Sequence, residues 1–302
     1  MLFRSGGAGQ VNVMWRAQEL GVGISYEVSC GNSADLNILD FIEFMIADEA
    51  TDVIMVLAES IPDGARLMQV AARAAAREKP IVMVKLGRTE AGSHAAASHT
   101  GAMAGVDEVC DAALRQCGII RVDDCSDLYE TAMLLRMKRW PRGGRLAATT
   151  ISGGNGVLLV DLGASLGLSF PDYAPKTQAA LAEVLPKLGS TANPTDVTNA
   201  AIGKPDIFKR CIEAITADDS IDVTVPIFTL SVKSDVRQAA DAAKAASKPV
   251  PILWTGACND DPAYTAKSLA LEGVAVYRST LDRKSTRLNS SHVALSRMPS
   301  SA

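Results

Sequence analysis

Asp52-Val53-Ile54-Met55-Val56-Leu57-Ala58-Glu59 is the stretch that decides the fold. Its first seven positions are apolar almost without a break, which marks a strand buried on both faces of a parallel sheet. Pro62 and Asp63 then open a helical pattern from Ala65 to Glu78, and Pro80 ends it. Ile81-Val82-Met83-Val84-Lys85-Leu86 is a second apolar run of the same kind. Strand, helix and strand at this spacing predict a βαβ unit, whose crossover makes the two strands parallel.

The same alternation extends in both directions. Upstream, Ser5-Gly6-Gly7-Ala8-Gly9 reads as a loop opening a helix over Val11–Leu20, with its feeding strand missing or reduced to Leu2-Phe3. Ile24–Val28 reads as a short strand, and Asp35 as the N-cap of a helix running to about Ala47. Downstream, the small-residue stretch Gly92–Gly105 reads as a loop carrying His94 and His99. A helix over Val106–Cys117 closes at Gly118, Ile119–Val122 is a strand, and Ser126 caps a helix that ends near Lys138. Arg139-Trp140-Pro141-Arg142-Gly143-Gly144 is the clearest boundary.

Beyond it the pattern restarts. Leu146–Ile151 is a strand and Ser152-Gly153-Gly154-Asn155-Gly156 a glycine-rich turn before a helix over Val157–Leu166, echoing the start of the chain. Helices over 175–185, 205–217, 233–247 and 262–272 alternate with strands over 222–230, 250–255 and 274–277, with Thr191–Asp196 as a loop. The fold class expected is α/β, as two tandem flavodoxin-like, doubly wound parallel-sheet domains over residues 1–139 and 145–282. Residues 283–302 lose all periodicity and resemble translated sequencing-adaptor read-through. They are read as a non-native or disordered tail and set aside together with His292.

Composition narrows the function classes. The 302 residues are 48% hydrophobic and 21% charged, an ordinary globular balance. A net charge of −4 without a basic patch argues against nucleic-acid binding. No apolar run reaches membrane-spanning length, and Met1–Gly7 has no signal core. The six cysteines, Cys30, Cys110, Cys117, Cys125, Cys211 and Cys258, form no CxxC pair and read as reduced thiols of a cytoplasmic protein, with no metal site.

Ligands of open parallel sheets bind beyond the carboxyl ends of the strands. Glu59 and the His99 segment both follow such ends in one βαβ unit. A carboxylate bonded to one imidazole nitrogen makes the other a better nucleophile and stabilises the ring's cationic form. A phosphoryl group needs donors around its oxygens, and glycine-rich helix starts supply backbone N–H groups. Ser5, Gly6 and Gly7 form one such start; Gly153, Gly154, Asn155 and Gly156 form the other. A phosphohistidine clamped between two helix N-termini would use both. Alone, His99 would read as an ordinary loop histidine, Glu59 as a helix cap, either glycine loop as a plain strand–helix turn, and Asn193-Pro194 as a turn.

Several segments together resemble a family. Lys85-Leu86-Gly87-Arg88, Ala95-Ala96-Ala97-Ser98-His99-Thr100-Gly101-Ala102, Ala113–Gly118 and Asn193-Pro194-Thr195-Asp196 are similar, in order, to the NDP-forming acyl-CoA synthetases. These are the ADP-forming acetate–CoA ligases, relatives of succinyl-CoA synthetase, and the resemblance covers roughly residues 3–282. It implies that His99 is phosphorylated in catalysis, that Glu59 contacts it, and that the two glycine-rich helix starts hold the phosphate. It implies an acid–thiol ligase that interconverts acyl-CoA, ADP and phosphate with carboxylic acid, ATP and CoA. Acyl phosphate and phosphohistidine are the intermediates. CoA and ATP or ADP are substrates, and Mg2+ belongs to the ATP-grasp domain of such enzymes.

The chain departs from the family at Phe3, where serine is usual, and at Ser33, where lysine is common. It also lacks the family's N-terminal CoA-binding domain and its ATP-grasp domain. It therefore reads as the middle of a longer enzyme, inactive alone, whose partners are those domains on the same or another chain, in a homo- or hetero-oligomer. The rivals are a non-catalytic CoA-ligase-like regulatory module and a dinucleotide-binding oxidoreductase fragment. The second of these lacks GxGxxG spacing.

Overall fold

A computed structural model of the chain describes residues 2–4, 8–31, 33, 35–100, 106–229, 233–255 and 265–278. The described residues divide into two compact units, one up to Arg136 and one from Met137 onward.

The first unit runs β1 (Leu2–Arg4), α1 (Ala8–Glu19), β2 (Glu27–Ser29), α2 (Ile38–Ala47), β3 (Ile54–Ala58) and α3 (Gly64–Ala76). It continues with β4 (Ile81–Lys85), α4 (Glu90–Thr100), α5 (Asp107–Gln116), β5 (Ile120–Val122) and α6 (Cys125–Leu135). The sheet is parallel, in the order β2-β1-β3-β4-β5. This is the flavodoxin-like order, in which the chain turns opposite ways after β1 and β3 and leaves a crevice between their ends.

The strand the sequence left in question is present. Three-residue β1 lies between β2 and β3, with Leu2 opposite both Glu27 and Met55. All five residues of β3 and of β4 are buried, as their unbroken apolar runs predict. One face packs Ile54, Val56, Ala58, Ile81 and Met83 against Leu39, Ile42 and Met45 of α2, Leu67 and Val70 of α3, and Leu114 of α5. Each such aliphatic side chain, fully buried, contributes roughly 1.5–3 kcal/mol. On α6, Leu128, Ala132 and Leu135 are buried as well.

The second unit runs β6 (Leu146–Thr150), α7 (Gly153–Ser165), α8 (Pro175–Val184), β7 (Thr195–Asp196) and α9 (Pro205–Thr216). β8 (Val223–Phe228), α10 (Lys233–Ala245), β9 (Ile252–Trp254), α11 (Ala266–Leu271) and β10 (Val276–Tyr277) complete it. Its parallel sheet is ordered β10-β9-β8-β6-β7. Counted from its own first strand, this is again the flavodoxin-like order. Its core gathers Phe208, Ile212 and Ile215 of α9, Val236, Ala239 and Ala243 of α10, and Phe228 and Trp254 of the sheet. The Phe208 and Phe228 rings lie 4.8 Å apart.

The structure corrects several local expectations. Asn37, not Asp35, caps α2: its Oδ1 accepts from Leu39 N–H at 2.9 Å, and Asp40 Oδ2 accepts from Asn37 N–H at 2.8 Å. Asp124, not Ser126, caps α6 through Ser126 N–H and Asp127 N–H. In both cases a carboxylate three residues on closes a capping box, and the neighbouring candidate lacks that partner. Glycine-rich Gly153–Gly156 is the first turn of α7 rather than a turn ahead of it. The segment read as a loop around His94 and His99 is helical through Thr100. Alanine has the highest helix propensity, and this segment is dense in it. The stretch read as a loop, Thr191–Asp196, ends in the short strand β7, whose register sets Thr195 opposite Thr149.

Candidate functional site

In the first unit the site grows from the ends of β3 and β4. Glu59 follows the last residue of β3, beside the crevice that the strand order creates. It is only 9% exposed, and its Oε2 is buried without a hydrogen-bond partner. A buried carboxylate oxygen left open is costly, so it marks a place where a donor is wanted. Asp63, four residues on, caps α3 by accepting from Arg66 N–H at 2.9 Å. The bland reading of Glu59 as that helix's cap is thereby removed.

β4 ends at Lys85, opposite Ala58 in the register. Lys85 is 5% exposed and its Nζ donates to Leu86 O at 2.5 Å. Burial pulls this ammonium below the usual lysine range, against the opposing pull of Cys110, Asp107 and Glu59. Gly87 then turns the chain with φ +73°. Thr89 starts α4, its Oγ1 accepting from Gly92 N–H at 3.0 Å and its carbonyl from Ser93 N–H at 2.7 Å. α4 is the helix whose sequence contains His94, which is exposed, and His99. The side chain of His99 lies outside the described residues, as do Ser5, Gly6 and Gly7. The backbone places His99 near the end of the helix that follows β4, the strand beside Glu59's own.

In the second unit, α7 begins directly after β6. Gly153, Gly154, Asn155 and Gly156 form its first turn, the turn whose N–H groups have few partners inside a helix. Ser152 stands at the N-cap but its hydroxyl makes no capping bond. Instead its N–H donates to Thr150 Oγ1 at 3.0 Å. Gly156 is closely packed: a Cβ there would stand 3.2 Å from Pro194 Cβ and 3.3 Å from Thr150 Cγ2. Gly154 has nothing within 4 Å of where a Cβ would be, so packing does not explain it.

The Asn193-Pro194-Thr195-Asp196 segment has two separate jobs. Asn193 precedes a cis proline and ties the segment to the sheet. Its Nδ2 donates to Leu146 O at 2.8 Å and Pro171 O at 3.0 Å, and its Oδ1 accepts from Ala148 N–H at 3.3 Å. Asp196 reaches the helix start, its Oδ2 3.7 Å from the Cβ position of Gly153, while Oδ1 accepts from Thr198 N–H at 2.8 Å. Asp196 was not among the expected site residues, and neither were Lys85, Arg88 or Arg121. Lys85 and Asp196 end strands, Arg88 follows one and Arg121 lies inside one, places that hydrophobic periodicity does not reveal for polar residues.

Two doubly wound units, one with a buried open carboxylate and the other with a glycine-rich helix start at its strand ends, define a protein built of two flavodoxin-like units. Residues 1–135 match the family described as "Succinyl-CoA ligase like flavodoxin domain". The chain is 36% identical over 222 residues to acetate–CoA ligase [ADP-forming] I of Archaeoglobus fulgidus, covering 74% of this chain and 32% of that protein. It is 37% identical over 204 residues to the alpha subunit of acetate–CoA ligase [ADP-forming] I of Pyrococcus furiosus, covering 68% of this chain and 44% of that subunit. Among solved structures it is similar to dinucleotide forming acetyl-coenzyme A synthetase 1 of Ca. Korarchaeum cryptofilum, in complex with phosphate and ADP. The TM-score is 0.84 at 29% identity, over 97% of this chain and 64% of that one. Residues 1–135 thus carry a succinyl-CoA ligase-like flavodoxin domain, and the chain is similar over much of its length to ADP-forming acetate–CoA ligases. It spans less than half the length of these curated relatives.

Proposed function

We propose that this chain is the central part of an ADP-forming acyl-CoA synthetase and that His99 is its phosphoryl carrier. The observation that carries the reading is Glu59, buried at the end of β3 with Oε2 unpartnered, on the strand beside the one that leads into the helix of His99. An imidazole N–H is the donor that such an oxygen lacks, and accepting it fixes the tautomer that leaves the other ring nitrogen nucleophilic. Phosphate attacks the acyl-CoA carbonyl, the carbon–sulfur bond breaks, and CoA leaves as its thiol. The imidazole nitrogen attacks the phosphorus of the acyl phosphate and the carboxylate leaves. ADP then takes the phosphoryl group and restores the imidazole. Glu59 offsets the ring's positive charge while the phosphoryl group is carried. The start of α7 offers the Gly153 and Gly154 N–H groups to phosphate oxygens. CoA, ADP and ATP are bound by domains that complete the enzyme on the same or a partner chain, as is Mg2+.

With those domains supplied, labelled ATP is expected to leave acid-labile, alkali-stable phosphohistidine on this chain. His99→Ala and His99→Asn should each abolish the label; retained label in both would overturn the assignment. Glu59→Gln should slow labelling at least about 100-fold without unfolding the unit, the low end of what a positioned acid–base partner contributes. An unchanged rate removes Glu59 from the mechanism.

A further inference from the structure

Arg88 lies between β4 and the helix that bears His99, Asp107 begins α5, and one ion-pair network holds both residues. Arg88 Nε lies 4.0 Å from Asp107 Oδ2, and Arg88 Nη1 pairs with Asp123 Oδ1 just beyond β5. Arg121, inside β5, sends Nη2 to Asp107 Oδ1 at 2.5 Å and Nη1 to Asp111 Oδ1 at 3.3 Å. Arg115 closes the network on Asp111. The Arg121 side chain is 8% exposed, so its pairs escape most of the screening that weakens surface ion pairs. β5 is bonded to β4 with Arg121 opposite Met83, and this fixes the guanidinium to the sheet. Burial works against the charge of Arg121, but Asp107 and Asp111 outweigh it and raise its pKa.

We propose that Arg88, Asp107 and Arg121 are positioning residues that pin both ends of residues 89–106 to the sheet and so set where α4 stands on the rim. The consequence for catalysis rests on the reading of His99 given above; the pinning itself does not. Holding the two ends of a segment together removes much of the chain entropy lost when it is ordered. A nucleophile displaced by even about 1 Å from its line of attack loses on the order of 100-fold in rate.

Hydrogen exchange of this chain, read by mass spectrometry over residues 90–100, tests the pinning without any phosphoryl transfer. Arg88→Gln and Asp107→Asn should each raise exchange of the α4 amides about tenfold, as expected when a local opening becomes easier, while β3 and β4 stay protected. Arg88→Lys keeps the charge and should remain within about twofold of the unaltered chain, a difference within the reach of one exposed ion pair. Arg88 lies at the exposed margin of the network, so Arg88→Gln keeps the test decisive if Asp107→Asn fails to fold. Unchanged α4 exchange in the charge-neutralising variants overturns the proposal. With the completing domains supplied and labelled acetyl phosphate as donor, Arg88→Gln should lower the rate of His99 labelling about tenfold at unchanged KM, as lost positioning predicts. No label on the unaltered chain would count against His99 and not against the pinning, which the exchange decides alone.

Discussion

Two buried carboxylates do opposite things because of what surrounds them. Glu59 keeps an oxygen open at a strand end, whereas Asp218 has its acceptors filled. Burial pushes the Asp218 carboxyl up, but it accepts from Ser220 N–H at 2.9 Å, Ala174 N–H at 2.8 Å and the Thr177 and Ser220 hydroxyls. These bonds win and hold it at about 2, against the ordinary 3.8. A depressed folded-state pKa contributes stability that is fully present above the unfolded value and is lost as pH falls through the folded one. Asp218→Asn should therefore cost about 2 kcal/mol at pH 7. The difference should shrink between about pH 4 and pH 2, as read by urea unfolding across that range. A pH-independent difference would mean that Asp218 acts through packing. Asp218 falls between helical and strand patterns and carries no sequence signal of this role, because two of its four donors, Ala174 N–H and the Thr177 hydroxyl, lie at the start of α8, distant in sequence.

At the scale of the element, α7 separates a glycine kept for packing from one that packing does not need. Gly156 lies against Pro194 and Thr150, so Gly156→Ala should destabilise the unit by about 1–3 kcal/mol through overpacking. Gly154 faces open space, and Gly154→Ala should leave stability unchanged or raise it by up to about 1 kcal/mol. If this turn receives phosphate, Gly154→Ala should still weaken phosphate binding by calorimetry, because a methyl group blocks close approach to the N–H groups. Equal phosphate affinity in both proteins would remove this helix start from the site. The helix was legible from its apolar spacing, but its beginning was not: glycines favour no local conformation, and only the strand before and the cis-proline segment beside them make the first turn helical.

Across the whole molecule, two units repeat one strand order, and in each the residues of interest follow strands at the C-terminal edge of the sheet. Each unit has its own buried core, so residues 137–278 expressed alone should unfold cooperatively in denaturant, with a single transition by circular dichroism. A broad, non-cooperative melt would show that the unit needs the rest of the chain. Among the described residues no helix is long and apolar enough to cross a membrane, and Cys30, Cys110, Cys117, Cys125 and Cys211 are free thiols. By itself the sequence determined the α/β alternation, the buried strands β3 and β4 and the restart after residue 144, because burial on both faces of a parallel sheet demands short apolar runs, which their length and flanking turn residues separate from buried helix. It also singled out His99, Glu59 and two glycine-rich stretches as candidates, through motifs that occur in order along the chain. Only the tertiary structure decided that three residues make a central strand of β1, that Asp196 lies against the start of α7, and that Arg88, Asp107 and Arg121 meet around the ends of one segment. Those facts depend on neighbours distant in sequence, and charged or very short segments leave no periodic trace of the partners they will find.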